Sequence, residues 1–145
     1  MTIEIENQSD TQCDEVALVQ VAQFTLGKMG VHPDSDISIT LVDEARMTEL
    51  HIQWMDLPGP TDVLSFPMDE VKPFSASDGP AVVGDIVLCP TVAAAVTSHS
   101  MDEELALLTV HGTLHLLGFD HADSDTEKEM FALQDDCLRE WRASQ

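Results

Sequence analysis

Apolar and polar residues alternate at the start of the chain around Ile3 and Ile5, so residues 1–7 are expected to form a strand. The period then lengthens. Leu18, Ala22, Thr25, Leu26 and Met29 fall at helical spacing, which predicts a helix over 14–29 ended by Gly30. Residues 36–42, DISITLV, return to alternation and place Ile37, Ile39 and Leu41 on one face of a second strand. Asp43 can cap a short helix whose apolar stripe carries Met47, Leu50 and Trp54. Asp56-Leu57-Pro58-Gly59-Pro60 excludes regular structure and marks a turn.

Thr61 to Phe66 and Val82 to Leu88 read as two further strands, separated by a long loop over 67–81 that holds three prolines. The remainder reads as helical. Pro90 suits the first position of a helix running to 98. Ser100 with Glu103, and Ser124 with Glu127, form S-x-x-E capping boxes for two more helices. The last of these presents Met130, Cys137, Leu138 and Trp141. The expected fold is therefore α+β: a roughly four-stranded sheet covered by about five helices. The chain has 145 residues, with no internal repeat and no interdomain linker, and residues 1–145 read as a single domain.

Composition adds two constraints. No apolar run approaches the ~20 residues of a membrane span, and the acidic start MTIEIENQSD lacks the basic-then-apolar pattern of a secretory signal. Cys13, Cys89 and Cys137 form no CxxC pair and read as reduced thiols of a cytoplasmic protein. Charge is the unusual feature. There are 27 acidic and 6 basic side chains, a net charge of −21. Such a field repels polyanions unless salt screens it, so composition alone argues against a nucleic-acid ligand and for a solvated acidic surface.

The chemistry is concentrated in residues 111–121, HGTLHLLGFDH. His111 and His115 are four apart on the helix expected to begin near residue 101, so both imidazoles lie on one face about one turn apart. A straight helix cannot bring position 121 to the same point. Gly118 can adopt the left-handed conformation that ends a helix, which lets the chain turn back and His121 supply a third nitrogen. Three nitrogen ligands with an open fourth position describe a catalytic zinc site, and one zinc per chain is expected, although nickel or copper can occupy the same nitrogens. The spacing resembles the metzincin proteases, H-E-x-x-H-x-x-G-x-x-H. Here the glutamate that serves those enzymes as general base is replaced by Gly112, which cannot take a proton. Peptide hydrolysis by that route is not expected, and the sequence assigns no other general base.

H-G-x-L-H-L-x-G-x-D-H resembles the signature of the YbeY family of bacterial metallo-endoribonucleases. Pro60-Thr61-Asp62-Val63-Leu64-Ser65-Phe66-Pro67 and Gly84-Asp85-Ile86 are similar to two further family blocks, in family order, so the resemblance covers nearly the whole chain. It implies a single-strand-specific endoribonuclease holding one zinc on His111, His115 and His121. Such an enzyme is expected to mature the 3′ end of small-subunit (16S) ribosomal RNA and to serve ribosome quality control. It also implies a cytoplasmic location and links to ribosomal proteins and the GTPase Era, with no membrane partner. One position departs from the pattern. Where the family usually carries an arginine thought to contact RNA, this chain has Met55.

Asp62 and Asp85 are candidates to orient a ligand histidine or accept a proton; a strand-end aspartate bonded to backbone is the simpler expectation. Asp120 is expected to hold the loop before His121. His32, His51 and His99 match no block and read as surface or packing residues, and Trp54 and Trp141 as core. Two alternatives to a zinc endoribonuclease stay open: a zinc hydrolase of another substrate, and a non-catalytic ribosome-assembly factor whose zinc only holds the fold.

Overall fold

A computed structural model describes residues 1–145. Its elements are β1 (Thr2–Asn7), α1 (Glu15–Lys28), β2 (Asp36–Leu41), α2 (Glu44–Met55), β3 (Val63–Pro67), β4 (Val82–Leu88), α3 (Pro90–Ala93), α4 (Met101–Leu116) and α5 (Ser124–Ala143). The strands form one sheet in the order β1-β2-β4-β3. β1 and β4 flank β2 in parallel, and β3 runs antiparallel to β4 as an edge strand. Four strands and five helices in one α+β unit match the sequence expectation.

Strand alternation divides the residues between two faces. Ile37, Ile39 and Leu41 of β2, with Ile86 and Leu88 of β4, join the main core against α1, α4 and α5. The opposite face is covered only in part. Val42, Leu64 and Val87 pack under Met47 and Leu50 of α2 in a smaller core. Beyond that cover lies a cavity of about 740 Å³ floored by Ser38, Thr40 and Asp85.

α4 is the central helix, apolar almost all round. Its buried residues include Leu105, Leu108, Thr109, Gly112, Thr113 and Leu114. Two of these carry hydroxyls, which are satisfied within the helix: Thr109 donates to Leu105 O at 2.8 Å and Thr113 to Thr109 O at 2.7 Å.

Four expectations need correction. α3 ends at Ala93, not at 98. Ala95 and Val96 bond three residues back, which closes a tight turn before the Ser100 cap. α5 is capped by Asp123 rather than Ser124, with Asp123 accepting from the backbone N–H groups of Asp125 and Thr126. A carboxylate is the better partner for the positive helix end, and these bonds hold the Asp123 carboxyl below its ordinary range. β3 begins at Val63 rather than Thr61. Trp54 is not core: it is 60% exposed, because the buried stripe of α2 stops at Leu50 and its ring meets only the edge strand, through Phe66. Trp141, by contrast, is 8% exposed, as expected.

Candidate metal centre

The C-terminal half of α4 brings His111 and His115 together. Their rings meet edge-on with centroids 4.5 Å apart, and the two Nε2 atoms are 3.0 Å apart. α4 ends at Leu116, and Gly118 follows with φ of +94°, the left-handed conformation that turns the chain back. His121 then lies with its ring 5.5 Å from that of His111 and 5.2 Å from that of His115. One nitrogen from each histidine falls within 4.8 Å of the others, so the three are positioned to bind a metal ion.

The hydrogen bonds behind the rings test whether a cation fits. His115 Nδ1 lies 2.9 Å from Phe119 O, and a carbonyl can only accept, so Nδ1 carries the proton. His111 Nδ1 donates to Gln134 Oε1 at 2.8 Å. Both Nε2 atoms of the neutral rings are then bare lone pairs facing each other. A cation between them removes that repulsion. Nitrogens of a tetrahedral ion with ~2.0–2.1 Å bonds stand about 3.3 Å apart, close to what the α4 pair provides. Burial favours the neutral form of both rings, the form a ligand needs. It is the largest influence holding His111 and His115 below the ordinary histidine range, and it outweighs the opposing hydrogen bonds from Gln134 and Phe119. The residues therefore fit the metal that their spacing implies.

Gln134 was not anticipated, yet a signal existed. Met130, Gln134, Cys137, Leu138 and Trp141 form the buried stripe of α5, and a glutamine on such a stripe needs a buried partner. The Phe119 carbonyl has no sequence signature, because its position follows from the turn at Gly118.

The two candidate aspartates separate. Asp62 lines a cleft of about 410 Å³ together with Met55, β3 and the three histidines, and its charge only partly offsets the burial that lowers the His111 pKa. Its backbone oxygen accepts from Cys89 N at 3.0 Å. Asp85 faces the other side of the sheet, where the Ser38 hydroxyl donates to it, and it does not join the triad. Asp120 accepts from His121 N at 2.7 Å and so holds the loop. His32, His51 and His99 are engaged elsewhere, with Asp34 N at 3.0 Å, Gly59 O at 3.0 Å and Glu104 Oε1 at 2.7 Å.

Gly112 has a packing role. A Cβ there would lie 3.1 Å from Ser65 Oγ and 3.2 Å from Ile86 Cγ2. The glycine lets α4 press against β3 and β4, so this position points into the sheet. A metzincin-like glutamate would meet that wall.

Comparison with known proteins shows what the whole chain resembles. The family model described as Endoribonuclease YbeY matches residues 2–142. Proteins named Endoribonuclease YbeY from Mycobacterium ulcerans and Mycolicibacterium smegmatis are each 57% identical over 100% of this chain and 85% of their own length. The one from Mycobacterium tuberculosis is 56% identical over 100% of this chain and 86% of its own. The solution structure of TM1509 from Thermotoga maritima superposes with a TM-score of 0.63 at 27% identity, covering 99% of this chain and 93% of that one. These matches, spanning nearly the whole chain and its histidine cluster, place it in the Endoribonuclease YbeY family.

Proposed function

We propose that this chain is a zinc-dependent, single-strand-specific endoribonuclease, one catalytic domain across residues 1–145, in which His111, His115 and His121 hold one zinc ion. The observation that carries the reading is the pair of facing Nε2 lone pairs, 3.0 Å apart, beside a third imidazole in a protein of an endoribonuclease family. Zinc, when bound, supplies Lewis acidity: it polarises a phosphate oxygen and brings the acidity of water into the neutral range.

The chain's own residues do the rest. Gln134 and Phe119 O fix the ring tautomers of the α4 pair and keep Nε2 free. β3 and Met55 shape the cleft that admits the strand. Asp62, on its wall, is the one carboxylate lining that cleft and the candidate to take a proton from an attacking water. Gly112 leaves the site without the base a zincin protease uses beside its first histidine, which argues against peptide hydrolysis by that route.

We extend the proposal to the setting that the motif resemblance implies: maturation of the 3′ end of small-subunit ribosomal RNA and ribosome quality control, in the cytoplasm with ribosomal proteins and the GTPase Era. A net charge of −21 favours basic protein partners and opposes free RNA at long range, so delivery on the ribosome is the consistent picture. No helix is long and apolar enough to cross a membrane. The test is to incubate zinc-loaded protein with small ribosomal subunits and with single-stranded and duplex RNA. Cleavage of single strands that is lost on chelation and restored by zinc is expected. Cleavage unaffected by chelation would refute the zinc role.

A further inference from the structure

The cleft beside the triad contains no lysine and no arginine. Its surroundings are aromatic instead. Phe131 of α5 packs 5.9 Å from the His121 ring and 6.2 Å from the His111 ring, and is 38% exposed. On the other side Phe66 lines the cleft and also the neighbouring cavity on the open sheet face, and so stands in the wall between them. Trp54 stands in that cavity with its ring 5.8 Å from Phe66 at 65°, edge to face. A row of rings thus runs from Trp54 past Phe66 and the triad to Phe131. Of the nearest cations, Arg46 in the cavity beside Trp54 already bonds Glu49 at 3.1 Å, and Lys72, which lines a separate pocket with His115, lies 4.0 Å from Glu70.

Single exposed apolar side chains are ordinary, but rings grouped along a cleft mark a surface that meets a ligand. RNA is the occupant this chain's family membership favours, and its negative field and cation-free cleft deny RNA the usual grip on phosphate. Bases remain. Every base presents a π-face, stacking requires no positive charge, and only unpaired bases can offer it. We propose that Trp54 and Phe131 are base-stacking platforms on either side of the triad, so that this enzyme holds single-stranded RNA by its bases rather than its phosphates. The inference rests on the endoribonuclease reading above. It accounts for selection of single strands, because a duplex hides the faces that these rings need. It also accounts for Met55 in place of an arginine, since a phosphate contact is dispensable here.

Two measurements on the zinc-loaded protein test it. Trp54 and Trp141 are the only tryptophans, and Trp141 is buried, so fluorescence quenching by an added oligomer reports Trp54. A 2′-O-methyl single-stranded RNA should quench it to saturation, and an abasic oligomer of equal length should not. With cleavable RNA, Trp54→Leu and Phe131→Leu should each raise KM roughly tenfold with kcat nearly unchanged, while Trp54→Phe stays close to the parent. Zinc content per chain, unchanged in both variants, separates lost stacking from a damaged site. The log–log salt slope should be shallow, about −0.7 or flatter, as for at most one phosphate contact. Abasic RNA binding as tightly as RNA, an unchanged KM in Trp54→Leu, or a slope steeper than about −2 overturns the proposal. Cleavage without quenching or KM change would leave the nuclease reading intact and give the aromatic row to a protein partner. Saturable quenching without cleavage would uphold base binding and remove the nuclease.

Discussion

His111 and His115 sit on the packed side of α4, half-buried, each with Nδ1 bonded to a fixed acceptor. His121 lies beyond the helix, exposed, held through its backbone by Asp120 and resting its ring near Phe131. The same side chain is thus built in two ways. The α4 pair is preorganised: the fold sets its tautomers and spacing before any ion arrives. The third histidine is placed by one glycine turn and one aspartate, and it has freedom to adjust. A site of this kind keeps its position from the core and its closure from the loop.

The largest test of the fixed half is Gln134→Leu. It removes the partner that orients His111, and zinc affinity should fall ~10- to 100-fold, measured by competition with a chromogenic chelator. Affinity within twofold of the parent would show that α4 alone sets the pair. Next is Gly112→Glu. Its Cβ would crowd Ser65 and Ile86, so the protein should lose about 1–3 kcal/mol in denaturant unfolding and gain no peptidase activity. An undisturbed midpoint would contradict the close approach of α4 to the sheet.

The metal-free protein isolates the contrast itself. His111→Ala strands the buried Gln134 amide and should destabilise the apo form by about 1–2 kcal/mol. His121→Ala, at an exposed site, should change it by less than about 0.5 kcal/mol. Equal losses would erase the distinction. The smallest effect is on pH. Burial lowers the folded pKa of His111 and His115, so as pH falls through about 6.5 the unfolded chain binds protons first. Apo stability from these groups is fully present above that value and declines below it, levelling off once pH passes the lower folded values. Thermal melts from pH 7.5 to 5 should show the decline, and it should weaken in His115→Ala.

Much of this was legible in the sequence. The alternation of Ile37, Ile39 and Leu41 and the 3.6-residue run from Leu18 to Met29 encode burial directly, because period reports which face meets the core. The triad was legible because helix spacing and one glycine determine its geometry. The capping residue of α5 was misplaced by one, since Asp123 and Ser124 are both acceptors and local sequence does not say which is helical. Trp54 was misread because amphipathic spacing identifies a helix face without saying where the sheet beneath it ends. Phe119 O and the cleft walls depend on how β3, α2 and α5 assemble, which no local pattern records.

In the proposed function, one zinc on three histidines cleaves RNA. The most direct test joins elemental analysis to an assay of single-stranded RNA cleavage, on the parent and on His115→Ala. The parent should carry about one zinc per chain and cut the strand, and the variant should lose both together. A His115→Ala protein that still holds full zinc, or that cuts RNA at the parent rate, would contradict the assignment.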